Sequence, residues 1–393
     1  MSLPLDGIRV LDFTMLLPGP WCTLFLADFG AEVIKVEEPI RGDYIRWFPP
    51  FIEGISARHL LINRNKKSMK LNMKSNPGKE IARRLVETAD VLVEGFRPGV
   101  MKRLELGYDT VRKINPKIIY CSISGYGQDG PYKNLVGHDL NYLGFAGILH
   151  ITGEKDGPPI LPGVQISDIA SGGMMGAMGI LIALIERNKT GKGQYIDVSM
   201  LDGNIAQLYA TAGDYFATGR SPRRGETEVS RVLGGYACYT MYETKDGEYV
   251  TVAALEEKFW ATLCEKLGRS DLIEIQYDPE KQNKIKDALR ALFLSKTRDE
   301  WVEEFRELDV CVGPVNTMEE AFKDPQVLFR KMVTEEEHPE TGKVKQLGIP
   351  IKLSESRGKL RYPAPGFGEH TREILKELGY DAKEINDLIK GGK

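Results

Sequence analysis

The order of apolar segments predicts an α/β chain, with a large domain built on a parallel sheet covered by helices and a smaller α+β domain following it. Three observations carry this reading. Short β-branched runs alternate with segments of helical spacing through the first half of the chain. A charged stretch rich in Gly and Pro, Thr218-Gly-Arg-Ser-Pro-Arg-Arg-Gly225, then breaks the alternation. At 393 residues the chain is also too long for one ordinary core.

Ile8 to Phe13 reads as a strand, Trp21 to Phe29 as a helix after Pro18 and Pro20, and Ala31 to Val36 as a second strand. The order repeats. Lys79 to Thr88 has helical spacing, Val91 to Glu94 is a short strand, Val111 to Ile114 belongs to a helix, and Ile118 to Ser124 is another strand. A long helix follows from Ser171 to Arg187, a turn at Lys189 to Gly193, and a strand from Gln194 to Met200. Past the charged stretch, Cys238 to Thr244 and Tyr249 to Ala254 read as paired strands joined at Lys245-Asp-Gly247, with helices near Phe259 to Leu267 and Arg298 to Leu308. A last helix is expected near Thr371 to Leu378. The predicted division is therefore a large domain of 1–205 with 335–393, a linker of 206–230, and a small domain of 231–334.

Composition narrows the function. Hydrophobic residues at 42% and charged residues at 28% are the balance of a globular protein. A net charge of −3 offers no basic excess for a phosphate backbone, so no nucleic-acid partner is expected. Five scattered cysteines without a Cys-x-x-Cys pair indicate neither a disulfide framework nor a zinc site. Reduced thiols, and an N-terminus with acidic residues in place of a cationic leader, make the cytoplasm the expected location. The longest apolar run, Gly172 to Ile185, falls short of the ~20 residues that cross a bilayer, so a buried helix and no membrane partner are expected.

Gly125-Tyr-Gly-Gln-Asp-Gly130 satisfies the dinucleotide pattern, but Pro131 follows where an apolar helix should begin. A Gly-rich turn with amides facing an anion or a carbonyl oxygen is the better reading. Several longer stretches point elsewhere. LADFGAEVIKVE (Leu26 to Glu37), NRNKKSMKLNMKS (Asn63 to Ser75), EGFRPGVMKRL (Glu94 to Leu104), SGYGQDGPY (Ser124 to Tyr132), SDIASGG (Ser167 to Gly173) and ALIERNKTGKGQYIDVSMLD (Ala183 to Asp202) resemble, in order, the class III CoA-transferases. Within them, Gly137-His-Asp-Leu-Asn-Tyr142 resembles the α-methylacyl-CoA racemase branch.

The resemblance implies a Rossmann-like large domain, a small domain and an interlocked homodimer, with coenzyme A arriving as part of an acyl-CoA substrate and no other cofactor. It implies catalytic roles for Asp168, His138 and Glu256. Asp168 also suits a helix N-cap, His138 a surface loop, and Glu256 a solvated helix start. Glu257 stands where the racemases have proline. For the CoA phosphates and adenine the resemblance implies Arg41, Arg46, Arg97 and Arg103 with Asn72, Met73 and Lys74, and it groups Phe96, Gly125, Tyr126 and Asp139 with them. Arg97 is the strongest of these. The dense run Arg64-Asn-Lys-Lys67 reads equally as solvated cations or phosphate contacts, and Met174, Met175 and Met178 as flexible core packing.

Two reactions fit. As a racemase, His138 and Asp168 would flank the α-carbon of a 2-methylacyl-CoA as an acid–base pair, with Glu256 tuning the imidazole. As a transferase, Asp168 alone would attack the thioester carbonyl. The His138 motif favours the racemase and leaves the transferase as the alternative.

Overall fold

The computed structural model describes residues 2–391. It forms two compact units, Met1–Leu143 with Val164–Ile205 and Pro325–Lys393, and Gly144–Gly163 with Ala206–Asp324. These bounds differ from the expected ones. Gly144–Gly163 groups with the second unit, the segment from 325 to 334 with the first, and Tyr209–Thr218, in the expected linker, is a helix.

The main sheet of the first unit has six strands: β1 (Arg9–Phe13), β2 (Glu32–Glu37), β3 (Lys66–Lys70), β4 (Val91–Glu94), β5 (Ile119–Ser124) and β6 (Tyr195–Ser199). All pair in parallel, in the order β3-β2-β1-β4-β5-β6. This is the doubly wound order, in which the direction of winding reverses between β1 and β4 and ligands bind beyond the strand C-termini. Helices α1 (Pro18–Asp28), α2 (Asn76–Thr88), α3 (Tyr108–Ile114), α4 (Asp139–Phe145), α5 (Met175–Thr190) and α6 (Met200–Gln207) connect or flank the strands. Two apolar clusters result. One gathers Leu11, Ile34, Leu85 and Leu92, and the other Val10, Val33, Val91 and Ile180, so alternate residues of each strand feed opposite faces.

β3 escapes a hydrophobic reading because its sequence is Lys-Lys-Ser-Met-Lys, as suits a sheet edge. The C-terminal segment covers that edge: Gly368 and His370 donate backbone N–H groups to Ser68 Oγ and Ser68 O at 2.8 and 2.9 Å, and Lys70 N–H donates to Thr371 Oγ1 at 3.0 Å.

The charged run before and within β3 is neither solvated nor free for phosphate. Arg64 forks onto the buried Asp28 carboxylate at 3.0 and 2.7 Å. Lys66 is buried 3.6 Å from Asp12 and donates to Pro20 O, and Lys67 joins Glu32 at 2.8 Å. Lys35 and Asp43, 2.8 Å apart, are both fully buried. Asp43 Oδ1 accepts the Leu16 N–H at 2.9 Å, while Lys35 donates to Thr14 O at 2.9 Å. Internal charge therefore fixes the loops leaving β1 and β2, both at the C-terminal edge of the sheet.

Helix α5 is preceded without a break by a π-helix, Ser167–Met174. Together they make 24 residues, long and apolar enough by length and composition to cross a bilayer, which corrects the expectation that this segment is too short. It is not wholly buried either. Met174, Met178, Leu181, Ile182 and Ile185 are exposed, while Met175 packs in the core. The inner face is lined by glycines: a Cβ on Gly176 would meet Ile123 Cδ1 at 2.8 Å, and one on Gly173 would meet Trp21 Cδ1 at 2.7 Å.

The second unit pairs Tyr239–Glu243, Tyr249–Ala253 and Val312–Pro314 into an antiparallel sheet. Helices Glu257–Lys266, Gln282–Phe293 and Arg298–Phe305 cover it around Trp260, Phe293 and Trp301. Phe293 stacks on Tyr242 at 5.0 Å between ring centroids, and its carbonyl accepts the Trp301 indole N–H at 2.8 Å.

Candidate active site

The topology collects most of the candidates at one edge. Arg41 and Arg46 follow β2, Asn72 to Lys74 follow β3, Phe96, Arg97 and Arg103 follow β4, and Gly125 and Tyr126 follow β5. Helix α5 leads back toward β6, which puts its leading π-helix, with Asp168, at this same edge.

Asp168 lies in the first turn of the π-helix, half-buried. Its backbone N–H donates to Asp139 Oδ1 at 3.0 Å, and Asp139 O accepts the Ser167 hydroxyl at 3.1 Å. Asp139, in the first turn of α4, thus caps the helix that carries Asp168. Burial, with the Asp139 charge added, pushes the Asp168 carboxyl up to about 7. Tyr142, one turn along α4, is buried and donates its hydroxyl to Gly137 O at 2.5 Å. Its pKa is raised to about 12, by burial first and then by Asp168.

The Gly-rich turn packs on that ring. A Cβ on Gly125 would lie 2.4 Å from Tyr142 Cε1, and Gly127 and Gly130 have φ of +87° and +75°. Gln128 N–H donates to Asp197 Oδ2 at 3.0 Å, which ties the turn to β6. Tyr126 meets Tyr142 edge-on at 5.1 Å. The turn follows β5, whereas the dinucleotide motif follows the first strand of its fold. Its glycines make room for an aromatic ring.

His138 occupies the N-cap position of α4: its carbonyl accepts from Asn141 N–H at 2.8 Å and its own N–H donates to Asn141 Oδ1 at 3.0 Å. Its imidazole is exposed, with no hydrogen bond or ion pair among the described residues. Glu256 belongs to the second unit as the exposed N-cap residue of Glu257–Lys266, without a side-chain capping bond.

The basic candidates separate into two kinds. Arg46 is engaged internally: it forks onto Glu37 at 2.8 and 2.7 Å and donates to Pro365 O at 3.2 Å, and its side chain is 10% exposed. That removes it from the phosphate contacts the sequence suggested. Arg41, Lys74, Arg97 and Arg103 are exposed and have no ion-pair partner among the described residues. Met73 and Phe96 pack against the core. Asn72 Oδ1 accepts the Lys74 N–H at 3.1 Å, and Asn72 lines a cavity of about 1140 Å³ together with Ile40, Lys70, Ser75 and Arg372.

Sequence reasoning missed Glu94, which ends β4 next to the winding reversal. It is buried, accepts the Phe96 N–H at 2.8 Å and takes a hydrogen bond from the Ser122 hydroxyl. Burial raises its pKa to about 7 against those two bonds. A carboxylate closing an apolar strand before the tight Gly95-Phe-Arg-Pro-Gly99 turn was the available signal.

Comparison with known proteins identifies the family. The model of CoA-transferase family III matches residues 5–371. The chain belongs to that family. It is 38% identical over 398 residues to human succinyl-CoA:glutarate CoA-transferase, covering 99% of this chain and 89% of that protein. Human alpha-methylacyl-CoA racemase is 36% identical over 390 residues, covering 98% and 96%. Among solved structures, a CAIB/BAIF family protein from Brucella suis superposes with a TM-score of 0.84 at 35% identity, covering 96% of this chain and 100% of that one. Both reactions considered from the sequence are therefore represented among the relatives. The transferase, taken there as the alternative, has the better support.

Proposed function

We propose that this family III enzyme is a CoA-transferase, with Asp168 as nucleophile, moving coenzyme A from an acyl-CoA to a free carboxylic acid. The observation that carries the reading is a half-buried Asp168 carboxylate on a helix that Asp139 caps, while the His138 imidazole is exposed and has no hydrogen bond or ion pair among the described residues. A two-base racemase needs two proton-transfer groups aimed at one carbon. A transferase needs one carboxylate.

The ionised Asp168 attacks the thioester carbonyl and the CoA thiolate leaves, giving a mixed anhydride. The thiolate then attacks the aspartyl carbonyl and releases the donor acid as its carboxylate, leaving an aspartyl-CoA thioester. An acceptor carboxylate reverses these steps and departs as the new acyl-CoA. No net proton is consumed. The raised pKa suits the task, since a carboxylate short of solvation is the stronger nucleophile once ionised. Arg41, Arg97, Arg103 and Lys74, without an ion-pair partner among the described residues and at the same sheet edge, supply the charge that CoA phosphates require. Short dicarboxylic acids are the proposed acid substrates, on the name of the glutarate transferase relative.

The racemase reading keeps two supporting observations, the adjacent His138 and Asp139 in the sequence and the 36% identity to a racemase. A homodimer is proposed as well. Leu181, Ile182 and Ile185 lie exposed on one side of α5, and a second copy of this chain would cover them. The deciding experiment offers succinyl-CoA with glutarate and, separately, a single stereoisomer of a 2-methylacyl-CoA in deuterated water. Glutaryl-CoA without α-deuteration is expected. α-Deuteration without acyl transfer would overturn the proposal.

A further inference from the structure

The π-helix is held by a hydrogen-bonded chain that the reaction does not itself need. Ser167 and Ser171 stand four residues apart on it, and both are fully buried, as is Asn204 on α6. Ser171 donates its hydroxyl to Asn204 Oδ1 at 2.7 Å, and Asn204 Nδ2 donates to Ser167 Oγ at 2.8 Å. Ser167 in turn donates to Asp139 O at 3.1 Å, and the other end of Asp139 caps Asp168. The chain runs in one donor direction from Ser171 to Asp139.

The surrounding backbone leaves little slack. A Cβ on Gly203, the residue before Asn204, would lie 2.5 Å from Ser171 Cβ, and one on Gly172 would lie 2.8 Å from Pro18 Cβ. Helix α6 therefore presses on one side of the π-helix and the start of α1 on another. π-Helical turns are rare and concentrate at functional sites, because the wider turn forfeits i→i−4 bonds and needs outside support. Buried serine hydroxyls with no partner would bond back to their own helix carbonyls, the arrangement that bends ordinary α-helices. Asn204 offers both hydroxyls a different partner.

The geometry points to Asn204 as a positioning residue: through Ser167 and Ser171 it holds the π-helical register that sets the direction of the Asp168 carboxylate. Asn204 is fully buried and acts through these two serines. The inference rests on the proposed role of Asp168 and adds a residue that the reaction scheme does not contain.

The test compares wild type, Asn204→Ala, Ser167→Ala and Asp168→Asn in succinyl transfer, with CoA affinity measured separately by calorimetry. Asn204→Ala should lower kcat by about 10–100-fold, the cost of a small misplacement of a reacting group. KM for acyl-CoA and the calorimetric affinity for CoA should stay within about twofold of wild type. The acid limb of the rate profile should move away from about 7, because the carboxylate would exchange its present surroundings for others. A merely structural role would leave that limb in place. If Asn204→Ala does not fold, Ser167→Ala decides, since it breaks the same chain one bond nearer Asp168. A folded variant with kcat within about threefold of wild type, or with kcat loss matched by lost CoA affinity, overturns the inference. Activity retained in Asp168→Asn would instead overturn the role of Asp168, which keeps the two failures distinct.

Discussion

Asp139 Oδ1 accepts the backbone N–H of Asp168 at 3.0 Å, so one carboxylate caps the helix on which the other must react. The two jobs of Asp139 can be separated. Asp139→Asn keeps an acceptor oxygen for the amide but removes the negative charge that helps hold Asp168 near 7. The acid limb of kcat/KM is expected to move to lower pH in Asp139→Asn with little change in the plateau. Asp139→Ala, which loses the cap as well, should lower the plateau too. An unmoved limb in Asp139→Asn would contradict this.

Asp168→Asn should raise stability at neutral and alkaline pH while abolishing transfer. Folding lifts this carboxyl from its ordinary value near 3.8 to about 7, so across that window the folded state holds a proton the unfolded chain has released. Stability is full below the lower value and is lost as pH rises through the upper one. Asparagine has no such loss. Thermal unfolding should therefore show a larger gain in Tm for Asp168→Asn at pH 8 than at pH 4, and an equal gain at both would contradict the assignment.

Arg46 and Arg97 should fail in opposite ways. Removing Arg46 takes the arginine partner from the buried Glu37 carboxylate, which is held down at about 2 because Arg46, with help from Lys35 and the Ser68 hydroxyl, outweighs its burial. Breaking such a pair costs about 3–5 kcal/mol, so Arg46→Ala should unfold at clearly lower urea concentration. Arg97→Ala should unfold like wild type, yet raise KM for acyl-CoA by roughly tenfold with kcat nearly unchanged. Urea melts paired with steady-state kinetics check both.

Glu94 supports the turn that carries Phe96 and Arg97, so replacing it by leucine leaves the Phe96 N–H without its acceptor. Glu94→Leu should raise KM for acyl-CoA more than it lowers kcat. Glu94→Gln keeps an acceptor oxygen and should stay within about threefold of wild type. Equal damage in both variants would point to the charge in place of the bond.

Much of the fold was legible because burial writes itself into periodicity. Val91 to Glu94 matches β4 at both ends, and Ile118 to Ser124 begins one residue before β5. β3 was not legible, since Lys66 to Lys70 is buried by ion pairs and by the returning C-terminal segment, neither of which leaves an apolar pattern. The motifs singled out Asp168, Asp139 and Gly125, which the fold brings to one edge of the sheet. They did not reveal that Arg46 is paired internally with Glu37, because sequence places Arg41 and Arg46 in the same loop after β2 without saying which one turns inward. Asn204 was silent for a similar reason: its partners lie more than thirty residues away, and only the packing of α6 on the π-helix brings them together.

The most direct test of the central claim is chemical trapping at Asp168. The enzyme is incubated with succinyl-CoA alone, quenched into hydroxylamine, digested, and the peptide spanning Ser167 to Arg187 is examined by mass spectrometry. An aspartyl-CoA thioester predicts a hydroxamate on Asp168 that appears only with acyl-CoA and disappears when glutarate is added before the quench. An unmodified peptide from enzyme that is actively turning over acyl-CoA would contradict the nucleophilic role.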